Sequence, residues 1–152
     1  MFLNSKNKKS YLIDFQKLLK EDSGFWSLDS DLLIRALMQI NKNKNVQSLY
    51  SKHDKTGESY LFFAYSKDRE EFLFKYILPS ILNRFNAENK CFYEFLGPRD
   101  NLNIDVNSKI ELGAVRDPLY FKINHIRLSL ESESEQVHEM FWKVLGLQLS
   151  QL

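Results

Sequence analysis

Seven side chains in this sequence are candidates for chemistry: His53, Cys91, Tyr93, Glu94, His125, Arg127 and His138. The three histidines and the one cysteine lie far apart and show no ligand spacing. No metal site is expected from them. Five glycines, none grouped in a glycine-rich loop, leave neither a Walker nor a Rossmann fingerprint. No cofactor is therefore expected. Cys91 opens the aromatic run CFYEFL, where a buried structural thiol would sit, whereas a reactive thiol needs exposure and a lowered pKa.

Glu94 is the carboxylate that stands out. In a strand over CFYEFL it shares a face with Phe92 and Leu96. A buried, unpaired carboxylate costs several kcal/mol, so it needs a partner, water or a raised pKa. His125 and Arg127 share the polar phase of HIRLSL and could supply that partner. Two readings stay open. In one, Glu94 is a sheet-edge residue or a structural ion pair. In the other, Tyr93, Glu94, His125 and Arg127 line a cup that binds a small molecule or performs acid–base chemistry on it.

The elements that position these residues follow from periodicity. Ser10 caps an expected helix to about Asp22, ended by Gly24, and a deeply apolar second helix runs from Ser27 or Asp29 to about Asn41. VQSLYS and ESYLFFAYS flank the turn HDKTG and read as a hairpin. Residues 60–65 are apolar in both phases, so that strand should be central. Asp68 and Glu71 have the spacing of a capping box for a third helix to about Phe85, which Pro79 should kink or divide. CFYEFL is a further strand. Strands at 102–106 and 110–114, and one from Leu119, pair apolar with apolar as hairpins with three- and four-residue loops. The apolar period of LYFKINHIRLSLE changes phase at Asn124-His125, which marks a bend or bulge. Ser132 and Glu135 have capping-box spacing for a last helix.

The order ααββαββββα predicts one α+β domain over residues 1–152. Its mainly antiparallel sheet should have five or six strands, with helices packed on it. In element order alone it is similar to an NTF2-like cone and to GAF- and profilin-like layers. The stretch ESYLFFAYSKDREEFLFKYILP, with HIRLSL much later, is similar in outline to the C-terminal elimination region of lanthipeptide dehydratases. There a strand and helix precede an aromatic strand and a His-x-Arg run. The pieces are separated differently here, the likeness covers under a third of the chain, and no residue role is carried over.

Composition narrows the function. With 43% hydrophobic residues, 12 Phe and a net charge of +1, the chain has a core and no global pull toward nucleic acid or membrane. The lysines of residues 1–9 read as a loose basic tail. MFLNSKNKKS has no apolar stretch behind its lysines, and one cysteine allows no internal disulfide, so a cytoplasmic protein is expected. Fifteen Lys against six Arg, and 12 Asn, hint at an AT-rich coding genome such as that of a bacterium or phage.

On the last helix, Val137, Phe141 and Val144 suffice to cover a sheet. His138, Trp142, Leu145 and Leu149 extend the apolar arc to roughly 220°, against the ~100° usual for a surface helix. Either the N-terminal helix covers this excess through Leu12 and Phe15, or a partner does. The leading expectation is a small non-enzymatic protein-interaction module, such as a regulator, immunity protein, adaptor or chaperone, with a protein partner or self-association through His138, Trp142, Leu145 and Leu149.

Overall fold

In a computed structural model, residues 1–11, 28–97, 111–112 and 123–152 are described. They form an α+β domain built on a single antiparallel sheet. The elements are α1 (5–11), α2 (Leu28–Asn41), β1 (Val46–Lys52), β2 (Gly57–Tyr65), α3 (67–85), β3 (Lys90–Leu96), the two-residue β4 (Glu111–Leu112), β5 (His125–Ser132) and α4 (Glu135–Leu149). The strands lie in the order β3-β5-β2-β1-β4, and every pairing is antiparallel. Four strands are long, and the two described residues of β4 pair with Ser51 and Lys52 of β1. The expected strand at 102–106, the expected partner strand from Leu119 and the helix to Asp22 lie outside the described residues.

Double apolarity at 60–65 does mark the central strand. β2 pairs with β1 on one side and β5 on the other, and it is buried from Ser59 to Tyr65. Leu61, Phe63 and Tyr65 face the helices, together with Val46, Ile126, Leu128 and Leu130. Tyr60, Phe62 and Ala64 belong to a second buried cluster on the opposite face, with Leu3, Tyr11, Tyr50, Leu96 and Ile123. A bulge at Leu49 makes this division possible. The register slips between Ser48 and Tyr50, so Tyr50 turns to the second face and packs beside Tyr60 and Phe62, with ring centroids 5.9 and 5.8 Å away. At the hairpin turn Gly57 has φ of +107°, which a side chain would strain.

Residues 1–9 are not a loose tail in this structure. Asn4 Oδ1 accepts from the N–H groups of Lys6 and Asn7, and Asn7 Oδ1 accepts from Asn4 N–H at 2.8 Å. This reciprocal cap starts α1 ahead of Ser10. Leu3 N–H donates to Tyr65 O at 3.2 Å, and Asn124 N–H donates to Met1 O at 2.7 Å.

Neither predicted capping box forms. Ser132 is still extended and paired with Gly57, so the N-cap of α4 falls to Ser134, whose side chain makes no capping bond. Asp68 lies inside a 3₁₀ turn, Lys67–Arg69, and Glu71 pairs with Lys75 instead. In α3 the irregularity precedes Pro79. A wide π turn, Leu73–Ile77, leads into the α-helical segment Leu78–Phe85, and Pro79 sits in its first turn, where a missing N–H costs least. The phase change at Asn124-His125 is a bend, with the chain turning at Ile123 and the ladder beginning at His125.

The apolar excess of α4 is covered from within. His138, Trp142, Leu145 and Leu149 have no exposed surface. α4 packs on α2 so closely that a Cβ at Gly146 would lie 3.5 Å from Ala36 Cα. Phe141 makes edge contacts with Phe85 and Trp142, and the Trp142 ring lies 6.3 Å from that of His53. The coverage therefore comes from α2, α3 and the sheet. Leu12 and Phe15, the other candidates for covering it, lie outside the described residues. Replacing Trp142 with Ala should lower stability by about 3–5 kcal/mol, as for other large core aromatics. Chemical denaturation monitored by circular dichroism checks this, and a change below about 1 kcal/mol would mean the indole is not part of the core.

Candidate functional site

The four residues of the expected cup do not converge. Glu94 and Arg127 are register partners on β3 and β5, and His125 lies two residues from Arg127 on the same face. Tyr93 points to the opposite face. Glu94 is exposed, as its sheet-edge reading requires: among the described residues β3 pairs on one side only, and Glu94 reaches solvent. His125 is fully buried, and its Nδ1–H donates to Ile123 O at 2.8 Å. The Arg127 guanidinium pairs with Glu58 rather than Glu94, and stacks 5.1 Å from the Tyr60 ring centroid and 5.8 Å from that of Phe62. This pairing holds β2 to β5 across the second face.

One serine and one histidine do meet at the distance used by nucleophilic enzymes. Ser59 Oγ and His138 Nδ1 are 2.7 Å apart. Chemistry stops there, because both side chains are fully buried and no substrate atom can approach. His138 Nε2–H donates to Ser132 O at 2.7 Å, which leaves Nδ1 to accept from the Ser59 hydroxyl. Ser59 Oγ in turn accepts from Asp54 N–H at 3.0 Å. The chain of bonds ties α4 to the ends of β5 and β2, so His138 is a structural residue.

Cys91 is buried, and burial pushes its thiol up to about 12, which leaves it protonated and unreactive. Among the described residues no group of three or more His, Cys, Asp or Glu could hold a metal ion. No helix among them is long and apolar enough to cross a membrane. An open groove lies where β2, β3 and β5 meet the start of α4, and Glu58, Glu88, Glu131 and Glu133 line it beside Lys90.

The surface that stands apart is aromatic. Along α3 and the adjoining β3 run Phe72, Phe74, Tyr76, Tyr93 and Phe95. Phe72 and Tyr76 are 5.4 Å apart, and Phe74 lies 5.8 Å from Tyr93 and 6.4 Å from Phe95. Tyr76 is 62% exposed, Phe95 49%, Phe72 38% and Tyr93 37%. α3 buries Leu73, Ile77, Leu78, Ile81 and Phe85 and has no core face left for Phe72 and Tyr76. A signal for this existed in the sequence, since EFLFKYIL is apolar around most of its circumference. The same excess on α4 looked larger, yet it is satisfied internally.

No family model matches this chain, and neither a curated protein nor a solved structure matches it. What can be defined is a class: a single-sheet α+β domain with exposed aromatic rings on α3 and β3. The outline likeness to the dehydratase elimination region has no family match beside it.

One buried charge gives the domain a measurable signature. Lys8 of α1 inserts against β1, where its ammonium donates to Val46 O and to Gln47 Oε1, the latter at 2.9 Å. Burial lowers its pKa from 10.5 to about 8. Above that value the native state releases the proton while the unfolded chain keeps it to about 10.5. The unfolded state then binds more protons, so stability rises with pH. The rise should be roughly 1 kcal/mol between about pH 7 and 9. Subtracting the denaturation profile of Lys8→Met from that of the wild type isolates it, and a flat difference would mean that the ammonium is solvated.

Proposed function

We propose that this protein is a small non-enzymatic interaction module of the regulator, immunity-protein, adaptor or chaperone kind. It meets its partner through the aromatic ridge of α3 and β3. The observation that carries this reading is the exposure of four rings on two adjoining elements, Phe72 and Tyr76 as a pair on α3 and Tyr93 and Phe95 as a second group about Phe74. Isolated exposed apolar residues are ordinary, but contiguous aromatic ones mark contact surfaces. Tyr and Phe are enriched at such surfaces because they offer large area with few rotatable bonds. The reading moves the contact away from His138, Trp142, Leu145 and Leu149, which lie in the core, and onto Phe72, Tyr76, Tyr93 and Phe95. The alternative, a cup built from Tyr93, Glu94, His125 and Arg127, is the weaker one. Acid–base catalysis requires its groups to reach one substrate atom, and these four are split between two faces.

A photo-crosslinking residue at Tyr76 or at Phe95, introduced into the full chain in its native host, tests the reading. Both positions should give a discrete higher-mass adduct, while the same residue at Arg35, exposed on α2, should not. Absence of adducts at both ridge positions would overturn it.

A further inference from the structure

Resting on the reading of the β3 edge as a contact surface, we infer that its partner is a second copy of this chain, joined strand to strand. Among the described residues β3 pairs on one side only, with β5. Cys91 N–H is bonded to Asn86 Oδ1 at 2.7 Å rather than to β5. By the alternation of an antiparallel ladder, the N–H and C=O groups of Tyr93 and Phe95 then also face the open side. Such a row is a template for another strand.

Register and charge together select the occupant. In a symmetric antiparallel pair about a two-fold axis perpendicular to the sheet, each residue must face one of its own parity, because side chains alternate between faces. The axis must therefore pass through a residue. Centred on Glu94, the pairing sets two carboxylates against each other. Centred on Tyr93, it sets Phe92 against Glu94, and Lys90 against Leu96. Centred on Phe92, it sets each Lys90 opposite Glu94 of the other copy, with the Phe92 rings together between them. Within one copy Lys90 already faces Glu131, its Nζ 3.7 Å from the Glu131 carboxylate, and Glu94 faces Arg127. The Phe92-centred dimer thus continues each row across the seam as Glu131, Lys90, Glu94, Arg127, with signs alternating throughout. Cross-strand opposite charges favour this arrangement and like charges disfavour the alternative. The Cys91 N–H passes from Asn86 to Tyr93 O of the other copy. On the helix-side face each Tyr93 meets the other copy's Cys91, with Phe95 extending the contact. The two copies share one continuous sheet.

Charge exchange tests this in the full chain. In sedimentation equilibrium over a concentration series, the wild type should associate to a dimer. Lys90→Glu and Glu94→Lys should each raise the dimer dissociation constant by about ten-fold or more, and the doubly exchanged chain should recover it. Both side chains are exposed, so circular dichroism should show all four chains folded. A second measurement fixes the register. In a Cys91→Ser background, Phe92→Cys should form a disulfide-linked dimer on mild oxidation more readily than Tyr93→Cys. A wild type that stays monomeric throughout would overturn the dimer, while single variants that associate like the wild type, or an exchange that fails to recover, would overturn the Phe92-centred pairing. A preferred crosslink at Tyr93 would overturn the register. If the chain is monomeric while a crosslinker at Phe95 still captures a different protein, the second copy is wrong and the interaction reading stands.

Discussion

Everything in this domain is arranged around a strand with no solvent face. From Ser59 to Tyr65, β2 is buried in both phases and hydrogen-bonded on both sides. A sheet covered on one face would have left Tyr60 and Phe62 in water. Their burial obliges the chain to supply a second cover, and residues 1–11 are part of it, with Leu3 and Tyr11 in the same cluster. The bulge at Leu49 answers the same demand from the neighbouring strand by bringing Tyr50 onto that face. Burying rings on both sides of one strand is a large share of the hydrophobic driving force available to a chain of this size.

The position of β2 also decides where apolar surface is left over. Three helical elements must share the other face, and α2 and α4 lie in such close contact that Gly146 and Ala36 nearly touch. α3 is displaced toward the β3 end of the sheet, where Phe85 and Phe141 meet but Phe72 and Tyr76 have no neighbour inside. The aromatic ridge is thus the residue of core packing as well as a surface. On a strand that pairs on one side only among the described residues, Tyr93 and Phe95 combine exposed rings with open backbone groups, which a contact in the middle of a sheet would lack.

Legibility in the sequence follows the physics of each element. Strand β2, helix α2 and the hairpin turn at Gly57 are readable because their signals are local: doubled apolarity, a circumferential apolar pattern and a glycine at positive φ. The bend before His125 is readable from a change of phase. What escapes is set by distant partners. Glu94 stays open in the sequence between a sheet-edge and a pocket reading, because its neighbours Phe92 and Leu96 are apolar while its exposure depends on the place of β3 in the sheet, and that is a fact of topology. Trp142 reads as surplus because nothing in the last helix announces that α2 brings Ala36 alongside Gly146. The two capping boxes fail for a shared reason, since pattern matching cannot tell that Ser132 is still held in a ladder with Gly57 or that Asp68 is already inside a turn. Asn4 and Asn7 form a box of the same logic with amides in place of hydroxyl and carboxylate, which the usual residue types do not flag.

The segment NKNKN, which only interrupts the pattern when read alone, closes the molecule. The Asn43 side-chain amide donates to the carbonyls of Leu149 and Ser150, at 3.1 and 3.0 Å, and the Asn45 amide donates to Leu152 O. These bonds join residues 106 and 107 positions apart in the chain. They satisfy carbonyls at the end of α4 that would otherwise need water. The central strand likewise waits for β5, and α2 waits for α4. During synthesis at ~5–20 residues per second, the early half of this protein therefore emerges with its middle strand lacking one neighbour and α2 lacking its cover by α4. The fold can be completed only after the last turn of α4 has left the ribosome, so the nascent chain is the form of this molecule most exposed to misassociation.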